Sequence, residues 1–141
     1  MNVSVNGEVV HGDRLRIIIL KSRCDIGNTI LTFLTDAKNP EIVNLEYVPT
    51  SAVFKNTDIQ VRTLFPEKIT PWGYMVTLDF GWTKIDDIKL FLSGETRVFL
   101  TLTDDENFKP SEYFDIVENS WSLNGLEIAL DKARKACLGF V

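Results

Sequence analysis

The stretch that decides the fold class is YMVTLDFGWTKIDDIKLFL, residues 74–92, because the hydrophobic period changes within it. In residues 74–80 every second residue is large and apolar, which is typical of a strand with one buried face. From Thr83 onward the apolar residues recur at helical spacing, and Asp86, three residues after Thr83, fits a helix N-cap pattern. The stretch therefore predicts a strand followed directly by a short amphipathic helix that ends at Gly94.

Further strands are predicted on both sides of this stretch. Their β-branched or alternating runs, bounded by Gly, Pro or Asn, cover residues 15–20, 29–35, 42–48, 58–65 and 97–103. Asn6-Gly7 predicts a hairpin over residues 3–10, because both central residues of a type I′ turn need positive φ. Such an edge strand would allow a second copy of the chain to pair with it, so the sequence is compatible with a homo-oligomer.

The C-terminal helix is the best-specified element of the sequence. Asn124 is the predicted N-cap, and Glu127 completes a capping box. Between Leu126 and Cys137 the apolar residues form one stripe, which must cover an apolar surface. We therefore predict a single α+β domain over residues 1–141, with a mostly antiparallel curved β-sheet of about seven strands, a short inserted helix and a C-terminal helix packed on the sheet.

Length and composition indicate an ordinary globular protein. With 141 residues, of which 45% are hydrophobic, the chain can bury a core, and this excludes a disordered chain. The longest uninterrupted apolar run, residues 17–20, is far shorter than the ~20 residues that span a bilayer. Residues 1–4 do not resemble the start of a signal peptide. We expect a soluble, cytoplasmic protein with no membrane partner.

Cysteine and histidine usage argues against metal chemistry. Cys24 and Cys137 are far apart in the sequence, and without an export signal two reduced thiols are predicted, with a disulfide as the alternative. His11 is the single histidine, whereas zinc sites need three or four Cys or His ligands. Residues 104–107 lack the spacing of a calcium-binding loop. We predict neither a metal site nor a cofactor.

No motif in the sequence identifies an enzyme. The patterns GxSxG, GxGxxG, HExxH and the P-loop are absent, which favours a non-enzymatic protein. Two weaker alternatives are Cys24 acting with His11 as a nucleophile and base, and a carboxylate pair drawn from Asp79, Asp86 and Asp87. Neither pattern is specific, so we predict no catalytic residue.

The charge of the chain is concentrated in residues 104–118, here named the acidic segment. The net charge is −5, from 15 Lys and Arg against 20 Asp and Glu. Six acids and one base lie in the acidic segment, which leaves 14 of each for the rest of the chain. A helix over residues 111–118 would align Glu112, Asp115 and Glu118 on one side. A negative ridge of this kind attracts a basic surface and rejects acidic partners. The chain has no concentrated positive face for phosphate groups, so we expect no direct nucleic-acid partner.

These observations predict a protein-binding domain whose acidic face docks on and neutralises a basic partner, such as a nuclease-type toxin. An immunity protein, an antitoxin or an inhibitor has this character. The residues predicted to steer and anchor the partner are Asp104, Asp105, Glu106, Glu112, Tyr113, Phe114, Asp115, Glu118 and Trp121. Surface charge that only keeps the domain soluble is the alternative interpretation.

A second hypothesis is a small-molecule-binding pocket, with or without enzymatic activity. Trp72 lies in a loop between Pro71 and Gly73, where aromatic residues often form pocket walls. The predicted pocket lies between the sheet and the C-terminal helix, and its walls include Trp72, Tyr74 and Trp82. Trp121 is a further candidate wall, and all three tryptophans could instead be core residues.

Overall fold

The computed structural model describes residues 1–9, 13–36, 39–69 and 73–139. These residues form one antiparallel sheet of eight strands with two α-helices and two short 3-10 helices, which confirms the α+β prediction with one strand more than expected. The strands are β1 Asn2–Asn6, β2 Arg14–Leu20, β3 Arg23–Thr35, β4 Pro49–Phe54, β5 Thr57–Ile69, β6 Gly73–Lys84, β7 Arg97–Thr103 and β8 Glu118–Ser122. The helices are α1 Ile85–Leu92 and α2 Leu126–Cys137, with 3-10 helices at Pro40–Asn44 and Pro110–Glu112.

The sheet is nearly closed. Its strand order is β1-β2-β3-β6-β5-β4-β7-β8, and all neighbouring strands are antiparallel. The two edges meet after β1, where the backbone N–H of Glu8 donates to the Ser120 carbonyl at 2.7 Å. The N–H of Val9 donates to Oδ1 of the buried Asn119 at 2.9 Å. These bonds pair polar backbone groups that an open sheet would leave exposed at its edges.

The core fills the space inside the curved sheet. Alternate residues of each strand point inward, so Leu31 and Phe33 of β3 lie opposite Leu78 and Val76 of β6. Phe33 also makes an edge-on contact with the fully buried Trp121 at 6.2 Å between ring centroids. The apolar stripe of α2 is buried against β1, β2 and β3, as the sequence predicts.

Helix α1 lies against the sheet at Gly27. A Cβ atom at this position would lie 2.7 Å from Cδ1 of Ile85, so glycine permits the close approach. Lys89 joins α1 to α2, since its Nζ lies 2.9 Å from Asp131, and this hydrogen bond raises the pKa of Lys89. Asp86 of α1 is likewise paired with Arg134 of α2 at 3.1 Å.

The predicted hairpin at Asn6-Gly7 is wrong. Strand β1 pairs with β2, for example Val3 with Ile17, and the chain after Gly7 turns toward β8 instead. The reason is tertiary, because Gly7 lies against Asn119, where a Cβ would come within 2.4 Å of its Nδ2. Val10 and His11 lie outside the described residues.

The strand predicted over residues 42–48 is also wrong. Pro40–Asn44 is a 3-10 helix, in which the side chain of Asn39 accepts from the Glu41 N–H at 3.1 Å. The strand begins at Pro49, because proline is tolerated at the first residue of a strand. Gly27 does not break β3, which starts at Arg23 and accommodates an irregular register after Asn28.

Both predicted helix caps are wrong. The N-cap of α1 is Lys84, and that of α2 is Gly125 at φ 76°, neither with a capping side-chain hydrogen bond. The left-handed backbone at Gly125 moves the N-cap of α2 one residue beyond Asn124.

The two cysteines form a disulfide, so the prediction of reduced thiols is wrong. Cys24, at the start of β3, and Cys137, at the end of α2, have Cα atoms 5.7 Å apart. They are separated by 113 positions in the sequence, and only the packing of α2 on β3 brings them together. The bond fastens the C-terminal end of α2 to the sheet.

Candidate functional site

An apolar cavity of about 490 Å³ lies between α1 and strands β3 to β6, and we name it the α1 cup. The ring of Phe54 contacts Phe80 at 5.1 Å and stacks on Phe91 at 5.8 Å between centroids. The other apolar lining residues are Ile59, Val61, Ile88 and Leu92. The cup is therefore an aromatic-walled depression that the folded core leaves unfilled.

Among the described residues, three polar side chains face the α1 cup, two from strands β3 and β6 and one from helix α1. Thr29 is paired with the inward-facing Ile17, and Thr83 is paired with Gly27 beneath α1, so both face the cup. Asp87 projects from the first turn of α1. Within the described part of the chain, neither hydroxyl makes a hydrogen bond and Asp87 has no ion-pair partner.

Two further polar residues border the cup without facing it. Val61 and Ile59 of β5 point inward, so strand alternation directs Gln60 to the opposite face. Asp79 is opposite Arg62 in the register, and its Oδ1 accepts from the Gly81 N–H at 3.0 Å. Asp79 and Asp87 therefore face opposite sides of the sheet and do not form the carboxylate pair considered from the sequence.

The residues predicted to line a pocket lie elsewhere. Tyr74 is buried in the core, and Trp82 is 53% exposed, and neither lines the α1 cup. Trp72 lies outside the described residues. The described cup is also beside α1, whereas the prediction placed a pocket at the C-terminal helix. Its walls are phenylalanines, of which Phe54 belongs to a strand that the sequence pattern did not reveal.

Aspartates of the acidic segment build the loop after β7. Asp105 accepts from the Ser51 hydroxyl at 2.6 Å and from the N–H groups of Asn107 and Phe108 at 2.7 and 2.9 Å. Asp104 accepts from the N–H and the hydroxyl of Ser111 at 3.1 and 2.5 Å. Hydrogen bonds to the charged form lower the pKa of both aspartates. These carboxylates stay ionised and hold their own loop.

The predicted helix over residues 111–118 is absent, because Glu118 begins β8, which pairs with β7. Glu112, Asp115 and Glu118 thus do not form a helical ridge. Asp115 accepts from its neighbour Ile116 at 3.1 Å and from the Asp36 N–H at 3.4 Å. Glu106, Glu112 and Glu118 are exposed and remain available to a partner.

The aromatic residues of this region are mainly structural. Phe114 is 4% exposed and contacts Phe33 edge-on at 6.0 Å, while Trp121 is fully buried. A side chain without exposed area does not contact a partner, so Phe114 and Trp121 do not act as anchors of the predicted interface. Tyr113 is half-buried beside Phe108, with 5.3 Å between their centroids.

The pair of Cys24 as nucleophile and His11 as base, considered from the sequence, lacks a free thiol. Cys24 is in the disulfide and carries no free thiol, and His11 lies outside the described residues. The described ranges contain no group of three or more His, Cys, Asp or Glu side chains placed to hold a metal ion. Neither described helix has the length and apolar character needed to cross a membrane.

A depression of about 570 Å³ beside the start of α2 is slightly larger than the α1 cup. Its walls include the polar residues Thr96 and Asn124, and its basic residue Arg97 is paired with Glu8 at 2.7 Å. The α1 cup is the more apolar of the two.

Comparisons with protein-family models, curated proteins and solved structures found no match to this chain.

Proposed function

We propose that this domain binds a small, mainly apolar molecule in the α1 cup. The observation that supports the proposal is the cavity of about 490 Å³ with three phenylalanine rings in its wall. Ligand sites of drug-sized molecules are concave, mostly apolar and about 300–1,000 Å³ in volume, and they occur at the mouths of barrels. The α1 cup has this size and chemistry.

The walls of the cup are held in place before any ligand arrives. Ile85 and Ile88 fix one side of α1 in the core, and Lys89 and Asp86 tie the helix to α2. A preformed site spends less binding free energy on ordering its walls. The architecture thus favours ligand binding without a large rearrangement.

The test uses naphthalenemethanol, a neutral aromatic probe that suits a phenylalanine wall, titrated by probe fluorescence. Ile59→Trp puts a larger side chain into the cup, whereas Ile128→Trp makes the same change on the exposed face of α2. We expect saturable binding that Ile59→Trp weakens about tenfold or more, equal to a loss of about 1.4 kcal/mol, and that Ile128→Trp leaves unchanged. Equal affinity in the two variants, or no binding to the parent protein, would reject the proposal.

A second candidate function is docking of the acidic segment on a basic protein. The observation that favours it is the exposure of Glu106, Glu112 and Glu118, which leaves three carboxylates of the acidic segment at the surface. An immunity protein, antitoxin or inhibitor of a basic nuclease-type toxin would use such a surface for electrostatic steering. In this proposal Glu106, Glu112 and Glu118 pair with the partner, and Tyr113 contributes the half-buried aromatic contact.

This second candidate is tested by affinity capture at low and high salt from the native cells. The variant Glu106→Gln/Glu112→Gln/Glu118→Gln removes three exposed charges without touching the loop aspartates. A matched control, Glu41→Gln/Glu46→Gln/Glu127→Gln, removes three exposed charges elsewhere. A basic protein retained by the control and lost by the first variant would support acidic docking, and identical capture would reject it.

The redox state of the two cysteines provides a test of the cellular compartment in which the protein resides. The sequence predicts a cytoplasmic protein, whereas a disulfide between Cys24 and Cys137 favours an oxidising compartment. Alkylation of the protein in intact native cells, followed by mass spectrometry, distinguishes the two. Modified thiols would support the cytoplasm, and unmodified cysteines that react only after reduction would support an oxidising compartment.

A further inference from the structure

We infer that the ligand of the α1 cup is a small aromatic amine, bound with its ring among the phenylalanines and its ammonium group at Asp87. The inference rests on the proposed function of the cup and adds the chemical class of the ligand. The inferred ligand class follows from the aromatic and polar side chains that line the cavity.

The lining of the cup combines an aromatic cluster with polar side chains. Phe54, Phe80 and Phe91 form the cluster, with centroids 5.1 Å apart between Phe54 and Phe80 and 5.8 Å apart between Phe54 and Phe91. Thr29 and Thr83 line the same cavity on neighbouring strands, next to the irregular register of β3 and β6. A ligand that matches both features has a flat apolar body and one polar group.

The polar side chains of the lining are able to accept hydrogen bonds. The Asp87 carboxylate is an acceptor, and the two threonine hydroxyls are able to accept as well as donate. None of the described residues that line the cup is basic. A ligand carboxylate would therefore be repelled by Asp87, whereas an ammonium group supplies a positive charge and three donors.

Asp87 is set apart from its neighbour Asp86 by its surroundings. Asp86 is paired with Arg134 of α2, while Asp87 lines the cup and has no ion-pair partner in the described part of the chain. Phe91 follows Asp87 by four residues, so the carboxylate and the ring lie on the same face of α1. A carboxylate beside an aromatic ring is suited to an organic cation.

Lys55 is a basic group that contacts this wall. Its Nζ lies 4.6 Å from the centroid of the Phe91 ring and donates to the Phe91 carbonyl. The contact places the Lys55 ammonium at the Phe91 ring. It also shows that the Phe91 ring accepts a positive charge.

The test compares three probes with one ring system, namely naphthylmethylamine, naphthalenemethanol and naphthoate, at neutral pH. We expect the amine to bind about fivefold more tightly than the alcohol, as for a partly exposed ion pair, and the carboxylate to bind most weakly. Asp87→Asn should abolish the preference for the amine, so that the amine and the alcohol bind this variant with similar affinity. Asp86→Asn, which removes a charge from the same helical turn, should keep the preference.

The outcomes separate this inference from the proposed function. Binding of the alcohol with no preference for the amine, or a preference that survives Asp87→Asn, would overturn the ligand class while the cup remains a binding site. Failure of all three probes to bind would overturn both. Loss of the preference in Asp86→Asn as well as in Asp87→Asn would show a general charge effect and overturn the assignment to Asp87.

Discussion

The α1 cup and the acidic segment differ in how many of their polar side chains already form hydrogen bonds within the fold. In the acidic segment Asp104 and Asp105 accept five hydrogen bonds from the loop and from Ser51, so these carboxylates have a structural task. In the cup, Thr29, Thr83 and Asp87 face an apolar cavity without such partners in the described ranges. Thr83 and Asp87 are exposed and Thr29 is half-buried, so these groups stay accessible to a ligand that enters the cup and are able to hydrogen-bond with it.

The aromatic residues show the same contrast. Trp121 and Phe114 close the core below the acidic segment, whereas Phe91 is 46% exposed at the cup. The charged and aromatic residues that lie close together in the acidic segment thus form, in the structure, a loop that covers part of the core. The cup combines residues from four strands and a helix, and no single stretch of sequence displays it.

The largest predicted effect tests whether Trp121 is a core residue. Trp121→Ala should lower the free energy of unfolding by about 3–5 kcal/mol, because the substitution leaves a cavity beside Phe33. Chemical denaturation measures the change, and Trp121→Phe should recover part of it. Tyr113→Ala, at the half-buried aromatic of the acidic segment, should cost clearly less. Similar losses for Trp121→Ala and Tyr113→Ala would contradict the division into core and surface.

The second prediction concerns the Cys24–Cys137 disulfide, which fastens α2 and, through Lys89 and Asp131, supports the helix that walls the cup. Cys24→Ala/Cys137→Ala should lower the free energy of unfolding by about 2–5 kcal/mol, since the bond closes a long loop in the unfolded chain. Denaturation with and without reductant measures the effect. The parent protein with reductant should approach the variant, and a variant as stable as the oxidised parent would contradict the prediction.

The third prediction concerns the packing of α1 against β3. Gly27→Ala should lower the free energy of unfolding by about 1–3 kcal/mol, because the new Cβ collides with Cδ1 of the buried Ile85. Ile85→Val removes that Cδ1 atom, so the double variant should be more stable than the sum of the two single changes predicts. Additive losses in this double-mutant cycle, measured by denaturation, would show that Gly27 does not position α1 through Ile85.

Local patterns predicted the parts of the fold that depend on local forces. Residues 74–92 form a strand and a helix because alternation and helical spacing are each sustained for several residues. Residues 42–48 are a short apolar run, for which periodicity does not separate a strand from a 3-10 helix. The hairpin at Asn6-Gly7 failed because the contact of Gly7 with Asn119 joins distant parts of the chain.

The candidate site was predicted less well for the same physical reason. Counting residues located the excess negative charge, but it did not reveal that Ser51 donates to Asp105 across 54 positions. Ile88 and Phe91 fit the apolar face of a helix, and the sequence did not indicate that part of this face lines a cavity. The disulfide, too, depends on the docking of α2 on the sheet. Each of these features requires knowledge of which distant elements pack together.

The smallest predicted effect separates structural from free carboxylates by their pH dependence. The pKa of Asp105 is lowered in the folded state, chiefly by the Ser51 hydroxyl and then by the backbone N–H groups. The stability that it contributes is therefore present above the ordinary carboxyl pKa and is lost as the pH falls through the lowered value. Asp105→Asn should be less stable than the parent at neutral pH, and the difference should shrink toward acid pH. Denaturation measured from neutral to acid pH should show no comparable trend for Glu106→Gln, because Glu106 is exposed beside the same loop. If the deficit of Asp105→Asn stayed constant with pH, the ionised form of Asp105 would not be what holds the loop, and the contrast with the cup would lose its electrostatic basis.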